Sequence, residues 1–120
     1  MLFRSINKVY FDTDERAVSI LSESARELGV RSLVGTIASG DKFICSKSDK
    51  DRIVSDFDAV CCEMEGAAIA QVAYVNGVDV CVIRAISDSA DGDATMDYPT
   101  FMPIAAKNSA ALTLALIAEF

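Results

Sequence analysis

An α/β fold, with a parallel sheet flanked by helices, follows from three features of this 120-residue sequence. Two apolar runs of strand length, DAVCC and VCVIRAIS, are separated by an alanine-rich stretch of helical character. Both runs end in acidic residues, Glu63 and Glu65 after the first and Asp88 after the second. The second run is almost wholly apolar, as suits a parallel strand covered on both faces. Strand, helix and strand make a βαβ unit, and open α/β sheets bind ligands beyond the carboxyl ends of their strands. Glu65 and Asp88 are therefore expected to face one pocket and act on one small molecule.

Length and composition narrow the function classes. A chain of 120 residues suits one domain, and a hydrophobic content of 52% argues against disorder. The net charge is -7 and no basic run occurs. Nucleic acid and anionic membrane surfaces both want a positive face, so neither is expected as a partner. There is no histidine, which removes His-based general bases, the usual zinc sites and His-dependent triads. No metal or cofactor is expected. Cys45, Cys61, Cys62 and Cys81 form no CxxC pair. Adjacent Cys61 and Cys62 should point to opposite faces of a strand as small buried hydrophobes. This cysteine usage suits a reducing cytosol. No apolar run approaches the roughly 18 to 20 residues of a membrane span, and the opening MLFRSINKVY is no signal peptide. That opening starts in mid-pattern, and further chain is expected ahead of it.

Asp12 and Glu15 resemble a capping box for a helix through ERAVSILSESARELG. Val18, Leu21, Ala25 and Leu28 give that helix its apolar face, and Gly29 ends it. Residues 31–38 read as a strand that runs into a Ser39–Gly40–Asp41 turn. Phe43 and Ile44 beyond it are either a plain βα loop or a stacking wall for a flat ligand. No Gly-rich phosphate loop is present. Ser48 is expected to cap a short helix through Ser55, and 58–62 to form the strand delivering Glu63, Met64 and Glu65. A helix over 65–76 carries Ala67, Ala68, Ala70 and Ala73, and Gly66 in its first turn lets something approach the backbone. Asn76–Gly77 is a turn. Residues 80–86 form the next strand, interrupted by Arg84. The acidic loop from Ser89 to Pro99 lacks calcium-loop spacing. A last helix starts at Thr100 with Pro103 in its first turn. Ile104, Ala111, Leu112, Ala115 and Ile117 or Ala118 are expected to pack that helix on the sheet.

The carboxylates are the chemistry on offer. At a strand-to-helix junction Glu63 and Glu65 should not both point into the pocket. Glu65 is the candidate to accept two hydrogen bonds from a cis-diol; alternatively it is an acid favoured by the first turn of a helix. Asp88 ends a buried strand, where desolvation favours the protonated form a general acid needs; alternatively it caps the next turn. Arg84 should not be buried alone and is expected to pair with Glu63 or Asp88.

The blocks SGDKFI, CCEMEGAAIAQVAY, VIRAISDSAD and FMPIAAKNSAAL occur in this order over roughly residues 30–120. Together they resemble the 5′-methylthioadenosine/S-adenosylhomocysteine nucleosidases of the purine nucleoside phosphorylase superfamily. The resemblance implies a partial three-layer, nucleoside phosphorylase-like sheet flanked by helices and truncated at the N-terminus. Residues 1–120 would be the C-terminal part of a single nucleosidase domain. It also implies hydrolysis of an N-glycosidic bond with release of adenine. Asp88 looks like the group that protonates N7, with Ser87 beside it. Glu65 looks like the ribose grip and Met64 like the thioether packed on the sugar. Phe43 looks like the ring stacked on adenine, with the Ile44 backbone reading its edge, and Phe101 like part of the wall toward the base and 5′ group. Glu63 and Arg84 match neighbouring positions in supporting roles. The partners implied are a nucleoside and water, with a homodimer as the assembly. A sugar site without Arg or Lys would suit a ribosyl cation-like transition state. Family members carry an earlier half with a water-activating glutamate that residues 1–30 do not supply. A nucleoside phosphorylase and a non-catalytic nucleoside-binding fragment are the other readings.

Overall fold

The computed structural model describes residues 8–87 and 98–120. Six elements follow one another: α1 (Glu15–Glu27), β1 (Thr36–Ser39), α2 (Lys47–Phe57), β2 (Ala59–Glu63), α3 (Gly66–Asn76) and α4 (Tyr98–Ala118). The class is α/β, a small parallel sheet flanked by helices. β1 and β2 pair with Ile37 opposite Cys61, Ala38 opposite Cys62 and Ser39 opposite Glu63. The register slips between Thr36 and Ile37. Just ahead of it, a Cβ on Gly35 would come within 2.6 Å of Val60 Cγ1, so only glycine fits there.

The parallel crossover observed is β1–α2–β2, one unit earlier than expected. Among the described residues, 80–86 join no ladder and the sheet has two strands. Apolar character alone does not make a strand; a neighbour with free backbone groups is needed as well. Ile83 and Ile86 are exposed, so that segment is not covered on both faces.

Helix ends correct several expectations. Asp14, not Asp12, caps α1, its carboxylate accepting from Ala17 N–H at 2.9 Å. Gly29 ends α1 as expected, at φ 67°, with Gly29 N–H bonding to Arg26 C=O and Val30 N–H to Ala25 C=O. Ser46 rather than Ser48 caps α2. α4 begins at Tyr98, which leaves Pro103 inside the helix rather than in its first turn. There it removes the amide that would bond to the Pro99 carbonyl.

α4 packs on α1, not on the sheet. Its buried residue is Leu112, while Ile104 and Ile117, expected to face the core, are 59% and 64% exposed. Ala111 and Ala115, also expected to pack, are half-buried, as are Phe101, Ala105, Asn108 and Leu116. Arg16 ties the pair together, donating 2.6 Å to the Glu119 carbonyl and lying 4.5 Å from the Phe120 ring centre. By length and composition alone, this 21-residue helix is apolar enough to cross a membrane. Lys107, Asn108 and Ser109 interrupt it in mid-helix, so it is not the unbroken apolar run that the sequence was expected to lack.

The core is shallow. Among the described residues, Ala17, Ala25, Ala59, Ala70 and Leu112 are the buried apolar ones, and no large side chain is completely enclosed. The chain exposes 9192 Å², whereas an ordinary folded monomer of 12.8 kDa exposes about 6,300 Å². Large apolar side chains contribute to it: Leu33, Val34, Ile69, Val72, Val75 and Leu114 are all exposed.

Candidate functional site

The carboxyl ends of β1 and β2 lie side by side, and the register sets Ser39 opposite Glu63. Gly40 N–H continues the pairing with a 3.1 Å bond to the Glu63 carbonyl. α3 starts three residues after Glu63, so its first amides point back at the strand ends. These amides have no partner within the helix. Glu63 supplies one: its carboxylate accepts from Glu65 N–H at 3.1 Å and from Gly66 N–H at 2.7 and 2.9 Å. Ser39 Oγ accepts from Ala67 N–H at 2.8 Å and donates its own proton to Glu63 Oε1. The regular helix ladder then begins with Ile69 N–H to Glu65 C=O, 3.2 Å.

Arg84 completes the cluster. Its guanidinium donates to Glu63 Oε2 and, at 2.7 Å, to Glu65 Oε2. The expected pairing of Arg84 with Glu63 is therefore present, and Glu65 is a second partner. The expectation of a sugar site free of Arg and Lys is corrected, because Arg84 touches the candidate ribose grip. Two carboxylates two residues apart repel each other, and one guanidinium between them relieves that. The set of Glu63, Glu65 and Arg84 still keeps one net negative charge.

The two acids differ in exposure. The Glu63 side chain is 8% exposed, whereas that of Glu65 is 64% exposed and open to a ligand. Burial pushes the Glu63 carboxyl up, but Ser39, the Glu65 amide, Arg84 and the Gly66 amide outweigh it and hold it below its ordinary value of 4.5. A group whose pKa is lower folded than unfolded stabilises the fold above its unfolded pKa and loses that effect as pH falls through the folded one. Stability is thus expected to fall as the pH drops below about 4.5, with a shallower slope in Glu63→Gln; thermal melts between pH 3 and 7 check this. Arg84 is shifted upward, chiefly by its bond to Glu63. In β2 the Cys61 thiol is pushed up by burial and then by Cys62 and Glu63. Cys61 and Cys62 are half-buried rather than enclosed, and none of the four cysteines forms a disulfide.

Gly66 is explained by the same geometry. A Cβ there would stand 2.9 Å from Glu63 Oε1, so what approaches the backbone is the carboxylate itself. Gly66→Ala is expected to cost about 1–3 kcal/mol by pushing that carboxylate off the amides, and chemical denaturation measures it.

The remaining candidates are placed as follows. Phe43, 66% exposed, and half-buried Ile44 lie in the segment leaving β1 at the same end of the sheet. Met64 is exposed between the two acids. Ser87 is half-buried, three residues beyond Arg84. Phe101 sits on α4 with its ring 6.3 Å from that of Tyr98, on the helix that packs against α1. Asp88 and most of the Ser89–Pro99 loop lie outside the described residues. The structure brings together Glu63, Glu65 and Arg84. It adds Ser39, which the sequence reading treated as part of a turn. The missing signal was the β1–β2 pairing, which alone reveals that Ser39 faces Glu63. A hollow of about 600 Å³ lies elsewhere, at the far end of α3 between Phe11, Tyr74 and Val80, and includes none of these residues.

Comparison with known proteins identifies the family. The chain is 43% identical over 110 residues to a 5′-methylthioadenosine/S-adenosylhomocysteine nucleosidase of Actinobacillus succinogenes, covering 91% of this chain and 48% of that protein. It is 39% identical to an aminodeoxyfutalosine nucleosidase of Helicobacter pylori, covering 92% and 48%. The crystal structure of the Campylobacter jejuni 5′-methylthioadenosine/S-adenosylhomocysteine nucleosidase superposes with a TM-score of 0.88 at 36% identity, covering 98% of this chain and 52% of that one. An aspartate-to-asparagine variant of the Helicobacter pylori enzyme, holding 5′-methylthioadenosine in its active site, superposes at 0.85 and 35% identity, covering 98% and 51%. The chain spans about half the length of the curated relatives it matches. The likeness also reaches further toward the N-terminus than residue 30, for the sequence pattern of the phosphorylase superfamily fits residues 4–118. With that match across nearly its whole length, and its carboxylates at the carboxyl ends of parallel strands, the chain belongs to the phosphorylase superfamily.

Proposed function

We propose that this chain is part of an N-ribosyl hydrolase that releases adenine from 5′-substituted adenosines, with 5′-methylthioadenosine and S-adenosylhomocysteine as the substrate class. The observation that carries this reading is the cluster at the strand ends: an exposed Glu65 carboxylate held by Arg84, beside a buried Glu63. Glu65 accepts hydrogen bonds from the ribose 2′- and 3′-hydroxyls. Met64 packs on the sugar, Phe43 stacks on adenine and the Ile44 backbone meets its polar edge. Asp88, oriented by Ser87, gives a proton to N7 as the C1′–N9 bond breaks and its electron pair moves into the purine. Water adds to C1′ and yields the free sugar. The net negative charge around Glu65 stabilises the cation-like sugar in the transition state.

Residues 1–120 are read as the C-terminal part of one nucleosidase domain, working as a cytosolic homodimer, with the water-activating group supplied from outside them. Water rather than phosphate as nucleophile is favoured because the relatives named above are nucleosidases. The relatives named above are all called nucleosidases, and the two nucleosides named for the Actinobacillus succinogenes and Campylobacter jejuni proteins share adenosine.

The test measures adenine release from 5′-methylthioadenosine with and without phosphate. It is run on the chain alone and on a chimera in which the chain replaces the matching half of the Campylobacter jejuni enzyme. Phosphate-independent release by the chimera is expected. Strict dependence on phosphate would favour a phosphorylase, and binding without release a nucleoside-binding fragment.

A further inference from the structure

We propose that Ser39 is a positioning residue for the sugar-binding carboxylate; this rests on Glu65 being the ribose grip. A serine hydroxyl has one proton to give and lone pairs to accept with. Ser39 uses both at once, giving its proton to Glu63 and accepting from Ala67 N–H at 2.8 Å. It comes from β1, whereas Glu63 ends β2 and Ala67 lies in the first turn of α3. One small side chain thus joins three elements at the junction from which Glu65 projects. Glu63 passes the constraint on twice, through the Glu65 and Gly66 amides and through Arg84, which reaches across to Glu65 Oε2 at 2.7 Å. Glu65 itself makes no side-chain cap to its own helix. Its direction is therefore set by its own backbone, which Glu63 holds, and by Arg84. Both constraints pass through the carboxylate that Ser39 orients. Because reactions and recognition are sensitive to misplacements near 1 Å, loosening Ser39 should be felt at the sugar and not at the base.

The test uses the full chain and two probes that differ only in the sugar hydroxyls, adenosine and 2′,3′-dideoxyadenosine, with affinities by calorimetry. Ser39→Ala is expected to lower adenosine affinity about tenfold while leaving dideoxyadenosine unchanged. Ser39→Thr, which keeps the hydroxyl, should restore the preference. Should Ser39→Ala fail to fold, Ser39→Cys carries the test: its longer, weaker hydrogen bond predicts a partial loss of preference. Loss of both ligands alike would show a merely structural role and overturn the proposal, as would an unchanged preference in Ser39→Ala or Ser39→Cys. Glu65→Gln separates the two ideas. If it leaves the preference intact, or if the unaltered chain binds neither probe, the sugar-grip reading falls and the proposal with it. If Glu65→Gln abolishes the preference and Ser39→Ala does not, only the role of Ser39 is overturned.

Discussion

Replacing Glu63 by alanine is expected to destabilise the chain strongly at neutral pH. The side chain is 8% exposed and accepts from two backbone amides, a hydroxyl and a guanidinium. Removing it strands the Glu65 and Gly66 amides and takes from Arg84 its buried partner. An unsatisfied buried donor costs about 1–3 kcal/mol, a penalty that falls on the part-buried Gly66 amide, since the exposed Glu65 amide can turn to water. Losing one member of a buried ion pair costs about 3–5 kcal/mol. Arg84, at 35% exposure, can still reach water and Glu65, so the full ion-pair figure does not apply. A net loss of about 2–4 kcal/mol is expected. Small domains hold only about 5–15 kcal/mol in total, and this chain buries little with which to absorb the loss. Urea denaturation followed by far-UV circular dichroism reads the effect. Glu63→Gln should lose less, since its carbonyl still serves one amide. A Glu63→Ala chain that melts like the unaltered one would show that the strand–helix junction is held by something else.

Asp88→Asn is expected to slow adenine release by about 10²–10⁴-fold in the chimera, with KM little changed. An asparagine can donate a hydrogen bond to N7 and so preserve binding. It has no proton to transfer, so the purine must leave as an anion. The loss should therefore fall on kcat, as it does when an interaction specific to the transition state is removed. A variant that loses binding and keeps kcat would assign Asp88 to recognition instead.

Much of the layout could be read from local rules. Glu65 opens a helix after an apolar strand, Gly29 and Gly77 end helices with positive φ, and the residues of α1 have helical periodicity. The choice of cap was less legible, because Asp12 and Asp14 or Ser46 and Ser48 differ only in which backbone amide lies within reach. Pairing was not legible at all. That Ser39 faces Glu63 is a matter of register between strands 20 residues apart in sequence, on which composition is silent. The same holds for 80–86, whose apolar residues promised a covered strand but have no ladder among the described residues. Arg84 was rightly expected to need an acid; that it would take two, one of them the sugar candidate, required the fold of the whole junction.

The shallow core has a thermodynamic signature. An unfolded chain of 12.8 kDa exposes about 18,600 Å², so folding hides about half of that surface here, less than the roughly 60% hidden even by a 60-residue domain. Urea sensitivity and the heat-capacity increment both scale with the surface released on unfolding. Both should be about a quarter below those of ordinary domains of this length, and the melting curve should be correspondingly broad. Covering part of that exposed apolar surface would raise the urea sensitivity and steepen the transition.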